Sequence, residues 1–285
     1  TGRPGPVLVD IPKDVQFAAG CYTNKKQVST DFFKSELSID PNLLIETVQR
    51  LEKAKRPIIY SGGGVINSGE MAVNLLRKLV SKTNFPITST LMGLGSYPAS
   101  GDNWLGMLGM HGTYEANMSM HDCDFMLCVG ARFDDRITGR IDAFSPDSFK
   151  VHIDIDPSSV NKNVTVDVPL IGDVSIILEE LIAAWEKRGS KVSTKELGQW
   201  WKEIGKWKEV KSLKYTNSSR IIKPQYALQR LEELTRGQDR YISTEVGQHQ
   251  MWAAQFMGFE EPNRWMTSGG LGTMGYGFPA SIGIQ

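Results

Sequence analysis

The sequence predicts an α/β fold in which doubly wound parallel sheets form a central domain and part of a second one. Short apolar runs alternate with segments of helical periodicity, which is typical of βαβ units and a parallel sheet. Glycine or polar residues follow several of these runs, as they do at the carboxyl ends of strands in open α/β sheets. The chain has 285 residues, enough for about two domains.

Composition narrows the classes of function. Lys plus Arg and Asp plus Glu each number 32, so the formal net charge is zero, and no basic tract is long enough to follow a nucleic-acid backbone. No apolar run reaches the roughly 18 residues that a membrane span needs. Cys21, Cys123 and Cys128 lack paired metal spacing. The last two lie at or in an apolar run, which predicts reduced core residues and suits a reducing compartment.

The first elements follow from apolar runs and their flanks. Residues 7–11 are predicted as a strand, and the polar residues 15–39 as a linker. Asp40 caps a helix that has Pro41 at its first position. The apolar face of that helix comprises Leu44, Val48 and Leu51. Residues 57–60 are predicted as a short buried strand.

The alternation continues through the central region. A helix is predicted over 69–82, with Met71, Leu75, Leu76 and Leu79 on its apolar face. Further strands are predicted over 86–90, 125–129 and 151–155. The last helix follows Asp173, with Ile177, Leu181 and Ala184 apolar. These elements predict one doubly wound domain over 40–187.

A second α/β domain is predicted over 223–285. Residues 188–222, rich in Lys, Ser and Trp, are predicted as a linker that contains an amphipathic helix near 200–213. A helix then starts near Pro224, and a strand covers 241–244. The apolar face of this helix comprises Tyr226, Leu228, Leu231 and Leu234.

Four predicted strand ends, at Ser61, Thr90, Gly130 and Asp154, carry residues that suit a ligand. Three glycines follow Ser61, where they can let the backbone approach an anion, although a simple tight turn explains them equally well. An acid placed like Asp154 commonly holds a ribose hydroxyl. Asp173 is interpreted first as a helix cap. Together the four strand ends favour a nucleotide-type cofactor.

Two segments concentrate the chemistry. Residues 132–136 are Arg-Phe-Asp-Asp-Arg, and arginine offers a rigid fork of donors for phosphate or carboxylate. A solvated loop with internal ion pairs is the alternative interpretation. Five glycines lie within residues 269–277, which disfavours a strand or helix interior and favours a ligand-facing backbone. A loop packed under a helix is the alternative there.

These segments together resemble the acetohydroxyacid synthases, also called acetolactate synthases, of the thiamin-diphosphate enzyme family. The resemblance covers essentially the whole chain, through residues 2–7 with 10–14, 106–112, 130–139, 246–252 and 269–279. Residues 132–136 together with 246–252 resemble the biosynthetic, flavin-containing branch. The resemblance implies that residues 1–14 are the tail of a pyrimidine-binding domain, that 40–187 bind FAD, and that 223–285 begin a truncated thiamin-diphosphate-binding domain.

The resemblance also implies the cofactor contacts. The matching FAD positions are Arg3, Gly62, Gly63, Gly64, Asn67, Thr90, Leu91, Met92, Leu108, Gly109, Met110, His111, Gly130, Arg132, Asp134, Arg136, Asp154, Ile155, Asp173 and Val174, with Gln250, Met251, Gly269 and Gly270 from the following domain. The matching thiamin-diphosphate positions are Val246, Gly247, Gln248, His249, Gly272 and Met274.

Three of these positions carry catalysis in the resemblance. Met274 is the bulky side chain that bends the cofactor, Gln248 lies at the diphosphate, and Arg136 binds the carboxylate of the second substrate. FAD has no net redox role in this family. The activating glutamate is expected before Thr1 and the Mg²⁺ ligands after Gln285, so we expect no metal ligand in this chain and no turnover by it alone.

The implied activity is the transferase reaction that joins pyruvate to a second 2-ketoacid, pyruvate or 2-ketobutyrate, in branched-chain amino-acid biosynthesis. The implied partners are further copies of the subunit, as a dimer or tetramer, and a regulatory small subunit. The location would be the cytoplasm of a bacterium or an organelle of a eukaryote. The alternatives are another thiamin-diphosphate carboligase or decarboxylase, such as a glyoxylate carboligase, and a non-catalytic nucleotide-binding module.

Overall fold

A computed structural model describes residues 3, 5–6, 8–21 and 39–285, which belong to two compact units, Thr1–Ser38 and Ile39–Gln285. The described part of the first unit contains one short helix, α1 (Lys13–Phe17), with no buried residue. The predicted strand over 7–11 is wrong for residues 8–11, and Val7 lies outside the described residues. A strand needs a neighbour to take its backbone hydrogen bonds, and no described residue pairs with 8–11. Most of the predicted linker also lies outside the described residues.

The second unit is built on a six-stranded parallel sheet. Its strands are β1 (Pro57–Ser61), β2 (Ile87–Ser89), β3 (Trp104–Met107), β4 (Phe125–Val129), β5 (Phe149–Asp154) and β6 (Val168–Ile171). They lie in the order β3-β2-β1-β4-β5-β6. The central strands β1 and β4 are buried along their whole length and pair from Pro57 opposite Phe125 to Ser61 opposite Val129. This order is doubly wound, with its reversal between β1 and β4.

Helices cover both faces of this sheet. They are α2 (Pro41–Lys53), α3 (Gly63–Asn67), α4 (Glu70–Thr83), α5 (Tyr114–Asp122), α6 (Asp135–Thr138) and α7 (Val174–Arg188). Asp40 accepts a hydrogen bond from the Asn42 amide, as the predicted cap requires, and Thr113 and Asp173 cap α5 and α7 in the same way. The end of α4 is fixed by Asn84, whose φ of 55° is left-handed.

Some elements differ from the prediction. Helix α4 buries the side chains of Ala72, Val73, Leu76, Leu79 and Val80, whereas Met71 is half exposed. Strands β3 and β6 and helix α5 were not predicted. Glycine interrupts β3 and proline lies inside β6, and both residues are tolerated because these strands form the two edges of the sheet.

The segment predicted as a linker contains helix α8 (Thr194–Lys208), which packs on the sheet domain. It starts at the Ser193 cap and ends before the predicted boundary at 213. Leu197, Trp200 and Ile204 enter the main core, and the Trp200 indole donates to the Pro57 carbonyl oxygen over 3.0 Å. This helix is therefore part of the folded unit.

The remaining elements are α9 (Pro224–Thr235), β7 (Ile242–Ser243), α10 (Gln248–Phe256), β8 (Trp265–Met266) and α11 (Gly277–Ile284). Strands β7 and β8 pair in parallel, and a second core joins Trp265 and Ala253 to Leu94 and Met107 of the sheet domain. The predicted apolar face of α9 is not buried; Leu234, for example, is 67% exposed. Among the helices the structure describes, none has the length and apolarity to cross a bilayer.

Candidate functional site

The loops that leave β1, β2 and β4 meet at the carboxyl ends of the parallel strands. The Thr90 amide donates to the Ser61 carbonyl oxygen over 2.9 Å, and the Gly62 amide donates to Val129 over 2.9 Å. The Gly64 amide donates to Gly130 over 2.9 Å. Three of the four predicted strand ends are thus joined by backbone hydrogen bonds at the reversal of strand order, where ligands bind in open α/β sheets.

Close backbone packing explains the glycines in this region. A Cβ on Gly62 would lie 2.3 Å from the Gly130 carbonyl oxygen, and one on Gly64 would lie 2.6 Å from Gly130 Cα. Gly130 itself has φ of 64°, which favours glycine. These glycines therefore let two loops touch, and Asn67 ends the short helix α3 that begins inside the first of them.

The glycine segment of residues 269–277 also reaches the carboxyl ends of these strands. A Cβ on Gly269 would lie 2.3 Å from Met92 Sδ and 3.6 Å from a methyl carbon of Leu91, while one on Gly63 would lie 3.2 Å from Met92 Cβ. Met92 thus lies between the loop after β1 and the segment that follows β8. Gly270 continues from Gly269, and a Cβ on it would meet no described atom within 4 Å.

Loop 108–111 lies against residue 136. The Met110 amide donates to the Arg136 carbonyl oxygen over 2.9 Å, and a Cβ on Gly109 would lie 2.6 Å from that same oxygen. Asn117, which the sequence analysis did not single out, holds Gly109 from both sides, since its amide side chain accepts from Gly109 N over 2.8 Å and donates to Gly109 O over 3.0 Å. Asn117 lies on the unpredicted helix α5, so no periodic signal pointed to it.

The other residues of loop 108–111 also have defined positions. Leu108 is buried and its amide lies 3.3 Å from the Ser89 carbonyl oxygen. The Met110 side chain is 66% exposed. The His111 carbonyl oxygen accepts from the Gln255 side chain on α10 over 2.9 Å.

The arginine cluster consists of exposed ion pairs around one buried ring. Arg132 pairs with Asp134 and Arg136 with Asp135, each over 2.8 Å, and all four side chains are at least 44% exposed. Phe133, with φ of 55°, is buried. Exposed ion pairs contribute little to stability, so either guanidinium can exchange its partner for a phosphate or carboxylate at small cost.

The predicted acids have protein partners. Asp154 is buried and accepts from the Asp156 amide over 2.8 Å, with Ile155 between them. Asp173 accepts from the Ser175 amide over 2.8 Å and from the Ser175 hydroxyl over 2.5 Å, as an N-cap does, and the neighbouring Val174 is buried. Arg3 belongs to the first unit, where it is exposed.

The predicted thiamin-diphosphate positions lie around the start of α10. Gly247, with φ of 152°, is the N-cap, and Gln248 and His249 form the first turn. A Cβ on Gly272 would lie 3.6 Å from Val246 Cγ1, so the two matching segments are in contact. The Met274 side chain is 81% exposed.

The two neighbouring positions on α10 are more enclosed. Gln250 is buried and its side chain donates to the Thr267 hydroxyl over 2.6 Å. Met251 is partly buried. Within the described ranges, no group of three or more His, Cys, Asp or Glu side chains is arranged to hold a metal ion.

Fold and site together define a doubly wound α/β protein in which several glycine-rich loops meet at the carboxyl ends of the parallel strands. The family model described as "Thiamine pyrophosphate enzyme, central domain" matches residues 44–181, and "Thiamine pyrophosphate enzyme, C-terminal TPP binding domain" matches residues 245–285. Together they cover more than half of the chain. The chain belongs to the thiamine pyrophosphate enzyme family.

Known relatives match along the whole chain. It is 44% identical over 287 residues to the acetolactate synthase large subunit of Buchnera aphidicola subsp. Schizaphis graminum and 42% identical over 287 residues to acetolactate synthase isozyme 3 large subunit of Escherichia coli. It is 44% identical over 287 residues to the chloroplastic acetolactate synthase 1 of Zea mays. Each match covers 100% of this chain but 49%, 50% and 44% of the relative. The chain therefore spans about half the length of the curated relatives it matches, and the resemblance noted in the sequence is confirmed.

Proposed function

We propose that this chain is part of the catalytic large subunit of a biosynthetic acetolactate synthase. That enzyme joins pyruvate to a second 2-ketoacid and gives 2-acetolactate or 2-aceto-2-hydroxybutyrate. The observation that carries the proposal is the contact of Gly269 with Met92, in a chain similar throughout to acetolactate synthases. Both residues are matched to FAD, and Gly269 belongs to the glycine segment that also carries Gly272 and Met274, which are matched to thiamin diphosphate. The contact therefore supports neighbouring sites for the two cofactors.

The FAD part of the proposal is supported by one unsatisfied atom. Thr90 Oγ1 is buried and has no hydrogen-bond partner among the described residues. Buried hydroxyls normally have a partner, so this atom fits a ligand at the end of β2. Arg132, with its exchangeable ion pair, would hold a phosphate of FAD. Asp154 would hold a ribose hydroxyl, as acids at such strand ends do.

Thiamin diphosphate supplies, when bound, the electron sink for decarboxylation and carbon–carbon bond formation. Residues 246–249 would hold its diphosphate group. Gly272 and Met274 would lie under its aminopyrimidine ring, and the exposed Met274 side chain is free to take that position. Arg136 would bind the carboxylate of the second 2-ketoacid, a task that suits its planar fork of donors.

The remaining components are also part of this proposal. Mg²⁺ would be held by ligands outside this chain. The working assembly would be a dimer or tetramer of large subunits with a regulatory small subunit. The relatives are bacterial and chloroplastic, which supports a bacterial cytoplasm or a eukaryotic organelle as the location.

Flavin analysis of the complete subunit that carries this chain tests the proposal. The purified protein is desalted extensively, its visible spectrum is recorded, and any flavin is extracted and identified. Acetolactate formation from pyruvate is then measured with added thiamin diphosphate and Mg²⁺. Stoichiometric FAD and acetolactate are expected. A folded, active protein without flavin would instead be a flavin-free relative, and a folded protein that neither binds thiamin diphosphate nor forms acetolactate would overturn the proposal.

A further inference from the structure

Glu245 joins the two segments that match the thiamin-diphosphate site. Its carboxylate accepts hydrogen bonds from the Gly275 and Gly277 amides over 2.6 Å each, and from the Phe278 amide over 3.3 Å. Glu245 immediately precedes Val246, and Gly275 immediately follows Met274. One side chain therefore spans from the predicted diphosphate contacts to the residue predicted under the aminopyrimidine.

The backbone around Glu245 is packed to hold this arrangement. A Cβ on Gly277 would lie 2.6 Å from both the Glu245 amide nitrogen and the Thr244 carbonyl carbon. The Ser243 hydroxyl donates to the Gly277 carbonyl oxygen over 2.5 Å. The start of α11 is therefore fixed against the end of β7.

The glycine segment itself is open between its two attachments. At one end, the Thr273 amide donates to the Ser268 hydroxyl over 2.9 Å, and at the other lies Glu245. A Cβ on Gly275 would meet no described atom within 4 Å, and Leu271 is 96% exposed. The position of Met274 thus depends on a small number of bonds, with the Thr273 bond to Ser268 directly before it and the Gly275 bond to Glu245 directly after it.

The charge of Glu245 suits its three donors. Burial raises the pKa of this carboxyl, but the backbone N–H groups of Gly275, Phe278 and Gly277 outweigh that effect and hold the pKa below its usual value. The side chain is therefore ionised at neutral pH and acts only as an acceptor. Hydrogen bonds to a charged acceptor are about twice as strong as neutral ones.

We propose that Glu245 is a positioning residue that sets Met274 relative to residues 246–249, and thereby sets the affinity for thiamin diphosphate. This inference rests on the proposed function. Loss of the carboxylate frees the Gly275 amide and lets the segment carrying Met274 move away from the start of α10. The residues matched to FAD keep their contacts, because Gly269 packs separately against Met92.

The test uses the complete subunit with Glu245→Gln and a matched control, Glu260→Gln. The amide of glutamine keeps one acceptor oxygen but turns an NH₂ group toward a backbone donor. Glu260 also accepts a backbone N–H, from Ser100 over 3.0 Å, but at a different loop. The dissociation constant for thiamin diphosphate, the FAD content and the melting temperature are measured for each protein.

We expect Glu245→Gln to weaken thiamin-diphosphate binding about 10- to 100-fold with normal FAD content, and Glu260→Gln to leave both unchanged. Glu245→Asp, which keeps the charge but is one methylene shorter, should bind with intermediate affinity, and this variant decides the matter if Glu245→Gln does not fold. Wild-type affinity in both Glu245 variants would overturn the inference, as would a parallel loss of both cofactors and of melting temperature. Failure of the wild-type subunit to bind thiamin diphosphate would overturn the proposed function, and this inference with it.

Discussion

The Gly64 amide donates to the Gly130 carbonyl oxygen over 2.9 Å, and a Cβ on Gly64 would lie 2.6 Å from Gly130 Cα. The two loops at the sheet edge therefore touch through their backbones, so we predict that Gly64→Ala forces them apart. Overpacking of this kind lowers the free energy of unfolding by about 1–3 kcal/mol. Urea unfolding measures the change.

The matched control for Gly64 is Gly198→Ala in α8. A Cβ on Gly198 would meet no described atom within 4 Å, and alanine is favoured over glycine in a helix interior by about 0.5–1 kcal/mol. We expect this variant to be more stable than the wild type. Equal stability of the two variants would contradict the prediction, because it would show that the loops after β1 and β4 accept the extra methyl group without loss of stability.

Arg132→Gln in the complete subunit should lower the FAD content while leaving the fold intact. Among the described residues, Arg132 forms its ion pair with the exposed Asp134, so loss of its charge changes the free energy of unfolding by less than about 1 kcal/mol. The flavin released per subunit is measured by absorbance. Arg140→Gln is the control, because Arg140 forms a similar exposed pair with Asp142 over 2.8 Å. Equal flavin content in the two variants would remove Arg132 from the proposed FAD site.

Asp173→Ala should lower the free energy of unfolding by about 0.5–2 kcal/mol, because the first turn of α7 loses its cap. Asp173→Asn should stay near the wild type, since asparagine caps a helix about as well. Thermal or urea unfolding measures both. The pair also separates capping from a role in binding FAD: a loss of flavin in Asp173→Asn, with stability unchanged, would mean that the negative charge acts on the cofactor.

Thiol labelling should distinguish Cys21 from the other two cysteines. Cys21 is exposed, whereas Cys123 and Cys128 are buried and free. Burial raises the pKa of the Cys123 thiol to about 11 and also raises the pKa of Cys128, and it is the thiolate that reacts. At pH 8 Cys21 should therefore be labelled rapidly in the native protein, and Cys123 and Cys128 only after unfolding in denaturant, as peptide mapping by mass spectrometry would show. Rapid labelling of Cys123 or Cys128 in the native state would contradict their buried positions.

The sequence predicted the sheet where strands are apolar and central. Residues 57–60 and 125–129 were recognised because both are buried on both faces, and such strands form continuous apolar runs. The edge strands β3 and β6 were missed because a glycine or a proline inside a short sequence argues against a strand. Both residues are acceptable in an edge strand, but the sequence alone does not show which strands lie at an edge. Helix α8 was recognised by its tryptophans, but its docking on Pro57 is a tertiary contact that periodicity does not encode.

The candidate site was predictable in part. Motif matches pointed to the loops at residues 62–64, 90–92 and 130–136, and the structure brings these loops together. The reason for the glycines was not predictable, because contact of Gly64 with Gly130 depends on the pairing of β1 with β4. No role was predicted for Glu245 either, since an acid after a strand is common. Only the fold shows the three backbone N–H groups that donate to its carboxylate.

The pairing of β1 with β4 also bears on the order in which this protein forms. The Arg56 amide, just before β1, meets the Asp124 side chain, just before β4, across 68 positions of sequence. Contacts of such separation form slowly, because a long loop must close before any pairing stabilises it. On the ribosome, β1 and β2 emerge well before residue 130. A nascent chain that ends earlier therefore lacks the loop after β4, which forms one side of the candidate site. Any cofactor bound there must therefore be captured after this half of the sheet is synthesised, and its capture would stabilise the closed sheet by mass action.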